Sequence, residues 1–261
     1  MVVSSGGPAT GLPSWVKLLR ADNPSPMTLE GTNTYVLRTP GATAAVVVDP
    51  GPLDQTHLRD VAGHGPVALI LLTHGHPDHA EGARLLQEMT GAPMTAVDPR
   101  WVVGAEALTG KGELTDMGGL TMRVLATPGH TADSVCFAVP GDEPALLTGD
   151  TILGRGTAVV AHPDGRLGDY LASLGRIRDL TTQHDLVLLP GHGPASGSVR
   201  ERTAFYLTHR AERLDQVRAA VAAGAQSAHE VVRLVYADVD EVLWPAAEQS
   251  VQAALDYLAE E

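Results

Sequence analysis

The stretch Thr73-His74-Gly75-His76-Pro77-Asp78-His79 follows the apolar run Val67 to Leu72 without a break. A short run with no polar residue has the length and composition of a buried strand. A strand anchored in a core holds the backbone of the loop after it, so that loop can aim several side chains into one cleft. Here it presents three imidazoles and a carboxylate between His74 and His79. Neutral imidazole nitrogens and carboxylate oxygens are good ligands for zinc and related divalent ions. A metal-free histidine cluster belongs in a polar surface tail, whereas this one leaves a core strand.

Working outward, three more segments repeat the arrangement. Thr127-Pro128-Gly129-His130 follows a strand expected at Leu120 to Leu125. Thr148-Gly149-Asp150 follows one at Ala145 to Leu147, and Pro190-Gly191-His192-Gly193 follows one at Leu186 to Leu189. Each places one ligand-type residue beside a glycine just past a short apolar run. Alone, each reads as a turn. Together they add His130, Asp150 and His192 to the first cluster.

The rest of the pattern alternates strands and helices. Thr34 to Leu37 and Ala44 to Val48 read as strands, the second ending in Asp49-Pro50-Gly51. Further strands are expected at Met94 to Val97 and Val135 to Val139. Helices are expected at Gln55 to Ala62, Asp78 to Met89 and Asp169 to Leu180. Past Ser198 the composition shifts to Ala, Leu, Arg and Glu, with one long helical pattern and two shorter helices at Ser227 to Val235 and Ala246 to Leu258. This divides the chain into residues 1–198, a catalytic domain, and 199–261, a small helical domain.

The formal net charge of −13 disfavours a polyanionic partner. Cys136 is the single cysteine, so no intramolecular disulfide exists. No run approaches the ~20 apolar residues that span a bilayer, and Met1 to Gly11 lacks the basic and apolar regions of a secretory signal. The expectation is a cytoplasmic enzyme without a membrane partner. Gly63-His64-Gly65 and Gly118-Gly119 match no phosphate-loop pattern and read as turns.

The order His-x-His-x-Asp-His, Thr-Pro-Gly-His, Gly-Asp, Pro-Gly-His-Gly resembles the metallo-β-lactamase superfamily. Met27 to Tyr35, Gly149 to Gly154, Pro190 to Pro194 and Tyr206 to Arg210 are similar to the β-lactamase-like protein 2 group within it. The resemblance implies an α/β fold, an αββα metallo-β-lactamase sandwich with a small C-terminal helical, winged-helix-like domain. It implies two divalent metal ions, zinc first, with iron or manganese able to use the same ligands. His74, His76 and His130 would hold one ion and Asp78, His79 and His192 the other, with Asp150 bridging. Asp78 would also orient the attacking water, which makes it the catalytic candidate.

A family aspartate like Asp49 hydrogen-bonds near the first histidine cluster; the alternative is a turn carboxylate. Asn33 and Thr34 are candidates for lining the cleft. His209 and Arg210 either reach substrate or form an exposed helical pair. His57, His64, His162, His184 and His229 read as surface or loop residues, and Cys136 as a core residue.

The resemblance to the β-lactamase-like protein 2 group implies an endoribonuclease acting on single-stranded RNA. Against this, residues 199–261 carry six Arg and eleven Asp plus Glu, where a nucleic-acid-binding face is normally basic. The alternative is hydrolysis of a small acyl substrate, with a glyoxalase II-like thioesterase, lactonase or β-lactamase as the type. A non-catalytic nucleic-acid or protein binder would be expected to have lost ligands, and all seven are present. Oligomeric state is not legible.

Overall fold

The computed structural model describes residues 11–195 and 197–261. Among them, ten strands form two five-stranded sheets. The first runs β1 (Val16–Arg20), β2 (Asn33–Leu37), β3 (Ala45–Val48), β4 (Val67–Leu71), β5 (Met94–Thr95) in spatial order. The second runs β10 (Val187–Pro190), β9 (Ala145–Gly149), β8 (Val135–Val139), β7 (Leu120–Ala126), β6 (Lys111–Met117). Both sheets are mixed: β3–β4, β4–β5 and β9–β10 pair in parallel, and the other neighbours are antiparallel.

The apolar runs are continuous because the central strands are covered on both faces. Alternate side chains go to different cores. Tyr35, Leu37, Val46, Val48, Leu69 and Leu71 face inward against Phe137, Val139, Leu147 and Leu189 of the second sheet. Their neighbours Val36, Val47, Ile70 and Leu72 face outward against Leu58, Val61 and Leu86, which belong to α1 (Gln55–Gly63) and α3 (Ala83–Thr90). On the far side, Cys136, Ala138, Leu146 and Leu188 pack against Tyr170, Leu174 and Ile177 of α4 (Leu167–Leu180) and against Tyr206 and Leu214 of α5 (Val199–Ala222). The result is the expected αββα sandwich.

The helix expected at Asp78 to Met89 is two helices, α2 (Pro77–Ala80) and α3. Gly82 separates them. A Cβ there would come within 2.7 Å of Pro52 O and 2.9 Å of Leu58 Cδ2, and its N–H is held by Gly51 O. Close packing onto the Asp49-Pro50-Gly51 turn overrides the helical pattern at that point. Strands β1 and β6 carry no expectation from the sequence. Both are edge strands, β1 with no fully buried side chain and β6 interrupted by Gly112, so neither shows an apolar run or a clean alternation.

Helix α5 opens at Ser198, whose Oγ accepts from Glu201 N. It leads to α6 (Ala228–Val235), a 3-10 turn at Glu241–Leu243 and α7 (Trp244–Glu260). The core is continuous across residue 198: Val231, Val232 and Val251 join the same packed set as Tyr170 and Leu174. No helix among the described residues is long and apolar enough to cross a membrane. The stretch read for an export signal lies, apart from Gly11, outside the described residues.

Candidate metal centre

The C-terminal ends of β4, β7, β9 and β10 open on one edge of the sandwich, and each delivers its ligand-type residue there. His74 follows β4. His76 caps α2, Pro77 starts it, and Asp78 and His79 occupy its first turns. His130 follows β7, Asp150 follows β9 and His192 follows β10. The seven side chains meet as three overlapping sets able to hold a cation: His74, His76 and His130; His74, His79 and Asp150; and Asp78, His79 and His192.

The inward-facing atoms are close. His76 Nδ1 lies 3.1 Å from His74 Nε2 and 3.0 Å from His130 Nε2. His79 Nε2 lies 3.2 Å from His192 Nε2. Asp78 Oδ2 is 3.0 Å from His192 Nε2. Asp150 stands between the two groups, 3.4 Å from His79 Nε2, 3.4 Å from His192 Nε2 and 3.8 Å from His130 Nε2.

The outward nitrogens show which tautomer each neutral ring adopts. His130 Nδ1 donates to Val159 O at 2.7 Å, His192 Nδ1 faces Gly31 O at 3.3 Å, and His79 Nδ1 donates to Asp49 Oδ2 at 2.9 Å. Carbonyl and carboxylate oxygens only accept, so the proton of each neutral ring sits on Nδ1 and Nε2 is left as a lone pair. Lone pairs 3 Å apart repel unless a positive charge lies between them. Asp150 Oδ1 is buried and has no hydrogen-bond partner among the described residues. These donors fit a pair of divalent cations.

The electrostatics agree. Burial, reinforced by neighbouring rings, pushes His74 well below the usual imidazole value, and burial takes His130 down to about 4 against the pull of Asp150. Burial also opposes charge on His79 and His192, but there the carboxylates win. Asp150, Asp78 and Asp49 hold His79 well above its usual value, and Asp150 and Asp78 push His192 up to about 9. Burial would raise Asp150, yet His192 and His79 hold it well below the carboxylate range. A cluster that retains protons in this way demands positive charge at its centre.

Asp49 sits at φ 51°, a left-handed conformation that Asp tolerates better than most residues. From there its carboxylate accepts from Thr73 N, Thr73 Oγ1 and His79 Nδ1. Asn33 and Thr34 are fully buried and do not line the cleft. Asn33 Nδ2 donates to Pro190 O and Gly193 O, bracketing the His192 turn. Thr34 Oγ1 donates to Asp49 O and meets His57 Nε2 at 2.9 Å. His57 is therefore not a surface residue: it is buried behind the turn that carries Asp49. His184 and His229 lie at the surface, and His64 and His162 are half-buried.

A cavity of about 310 Å³ opens from His130 and Asp150 and runs between the sandwich and the C-terminal helices. His209 and Arg210 line it. Arg210 is buried rather than exposed. The signal was its spacing, since Tyr206, Arg210 and Leu214 share one face of α5.

The metallo-beta-lactamase superfamily profile matches residues 27–192, which contain all seven of these side chains. The chain belongs to the metallo-β-lactamase superfamily. Members of this superfamily are in general metal-dependent hydrolases, and this metallo-β-lactamase-fold chain is one. The profile of the beta-lactamase associated winged helix domain matches residues 227–261. A beta-lactamase-like protein 2 homolog of Drosophila melanogaster is 33% identical, the match covering 97% of this chain and 90% of the relative. An atrochrysone carboxyl ACP thioesterase of Aspergillus fumigatus is 32% identical over 75% of this chain and 61% of the relative. Among solved structures, a beta-lactamase domain protein from Burkholderia ambifaria superposes with a TM-score of 0.79 at 25% identity, covering 98% of this chain and 91% of that one.

Proposed function

We propose that this hydrolase acts on an acyl thioester, with residues 1–198 supplying the metal centre and 199–261 one wall of the substrate cavity. The observation that carries the reading is the cavity that begins at His130 and Asp150. Apolar side chains line most of it, among them Leu153, Val159, Tyr236, Val239 and Leu243. Such a channel takes an apolar acyl group and leaves its carbonyl at the mouth of the metal site.

His74, His76 and His130 would hold one divalent ion, Asp78, His79 and His192 the other, and Asp150 would bridge them. Zinc best suits a donor set of five imidazoles. When bound, such a pair activates water and polarises a carbonyl oxygen. Asp78 is held ionised: burial works against its charge, and His79 and His192 outweigh it. Its carboxylate is partly open to the cleft, where it orients the attacking water. A thiol of pKa ~8.5 departs as thiolate without a proton donor. That matters because Asp150 is the one carboxyl group among the described cavity-lining residues.

The similarity to the fungal thioesterase supports this reading. The single-stranded RNA reading rests on the resemblance to the β-lactamase-like protein 2 group, and the net charge of −13 works against it. The test is elemental analysis of the purified chain, with hydrolysis of an apolar acyl thioester and of labelled single-stranded RNA measured with and without chelator. The expected result is about two metal ions per chain and chelator-sensitive thioester cleavage. Cleavage of RNA with no turnover of thioesters would overturn the acyl reading.

A further inference from the structure

The cavity lining is out of keeping with the rest of the molecule. The chain has a net charge of −13, yet this cavity is lined by Arg155, Arg210, Arg213 and His209, and the one carboxylate among its described lining residues is Asp150 at the metal end. Arg155 is neutralised by Glu30, whose Oε1 lies 2.6 Å from its Nη2. Among the described residues, neither Arg210 nor Arg213 meets a carboxylate. Arg210 donates to Ala158 O and lies over the Tyr170 ring. Arg213 donates to Val235 O and Gln216 Oε1 and lies over the Tyr236 ring.

Two buried polar atoms there, His209 Nδ1 and Arg210 Nε, also lack partners among the described residues, and Arg210 is 6% exposed. Burial first, and then the charges of Arg210, Arg213 and Arg202, press His209 down to about 4, so its ring stands neutral beside them. An uncompensated cation in an apolar cavity is costly unless a ligand supplies the opposite charge.

We infer that the acyl group of the substrate is itself an anion, with an apolar body and a carboxylate, enolate or phenolate oxygen that seats against Arg210, Arg213 and His209. This rests on the acyl-hydrolase reading and narrows its substrate class. The three residues come from α5, so the C-terminal part of the chain selects what the metal site hydrolyses.

The test is calorimetric titration of the metal-loaded full chain with 2-naphthoate and with 2-naphthamide, repeated on Arg213→Gln and Arg213→Ala. Arg210 is too buried to serve as the probe. The charged ligand should bind at least roughly tenfold more tightly than the amide, and the gap should shrink about tenfold in the variants, the scale of a charge-assisted hydrogen bond. Equal affinities would overturn the inference. So would a gap that the variants leave intact, because the metals would then be holding the carboxylate.

A second arm compares glutaryl and hexanoyl thioesters, each on N-acetylcysteamine and on coenzyme A. Preference for glutaryl on both carriers supports an anionic acyl group. Preference for coenzyme A whatever the acyl group shows the cations reading carrier phosphate, and overturns it. Anion-selective binding with no thioester turnover would sink the acyl-hydrolase reading alone. Turnover with no anion preference would sink this inference alone.

Discussion

Asp49 Oδ2 lies 2.9 Å from His79 Nδ1, and both side chains are buried. The same carboxylate holds Thr73 through its backbone N–H and its hydroxyl. One group at the end of β3 thus fixes both the start of the ligand loop and the orientation of a ring within it.

Asp49→Asn should keep the volume but lose the charge and one acceptor. Removing such a partner typically lowers metal affinity about 10- to 100-fold, read by competition with a chromogenic chelator. Asp49→Ala should also destabilise the metal-free chain by about 3–5 kcal/mol, because partners of a buried charge are left unpaired. Denaturant unfolding checks this, and a loss under 1 kcal/mol, the scale of an exposed ion pair, would refute it.

Metal uptake should release protons at pH 7. In the metal-free chain His79 stands well above its usual value and His192 near 9, so the pair retains at least one proton there. The sign follows. A raised folded pKa contributes stability that is complete below about pH 6.5, the unfolded histidine value, and is lost as pH rises through 9. The metal-free chain should therefore weaken over that window while its metal affinity rises. Calorimetry in buffers of different ionisation enthalpy measures the release. Heats independent of buffer would contradict it.

Asp78→Ala should cost one of two metal ions and drop hydrolysis at least about 100-fold, the lower end for a positioned acid–base group. Its side chain is partly exposed, yet it helps hold the His79 and His192 protons, so the thermal transition of the metal-free chain should fall modestly at pH 7. Metal content by elemental analysis separates this from global unfolding.

Gly191→Ala should damage the site without a change of ligand. An added Cβ would come within 2.5 Å of Asp150 Oδ1 and 2.6 Å of His79 Cε1. Overpacking of this kind costs about 1–3 kcal/mol, and here the atoms pushed are ligands. Retained far-UV circular dichroism with lost metal binding is the expected pair of results.

Tyr206→Phe should loosen the wall of the cavity. The Tyr206 hydroxyl accepts from Leu153 N at 2.8 Å and Ala158 N at 3.1 Å, holding both ends of the 153–158 loop. Two buried N–H groups lose their acceptor, at about 1–3 kcal/mol each. Amide hydrogen exchange should speed up at these two residues. Unchanged exchange would show that the loop is held some other way.

Much of the architecture was legible because β3, β4 and β8 are apolar on both faces, and the ligand-type residues fall at strand ends beside glycines. The motif order in the sequence was enough to name the superfamily and its sandwich. What failed to show were features without local periodicity. Edge strands β1 and β6 have half-exposed or glycine-broken patterns. The split at Gly82 comes from contact with Pro52 and Leu58, residues distant in sequence. The burial of His57 and Arg210 depends on what other elements lie against them.

By itself, then, the sequence determined the residue types offered to a metal and the strands that carry them, since ligand chemistry and period-two burial are local properties. Only the tertiary structure decided that seven side chains drawn from both sheets meet at one edge, that the His130, His192 and His79 rings each turn a lone pair inward, and that a cation-lined cavity lies between the sandwich and the C-terminal helices. Those depend on contacts spanning more than a hundred residues, as between His192 and Gly31, and no local pattern encodes them.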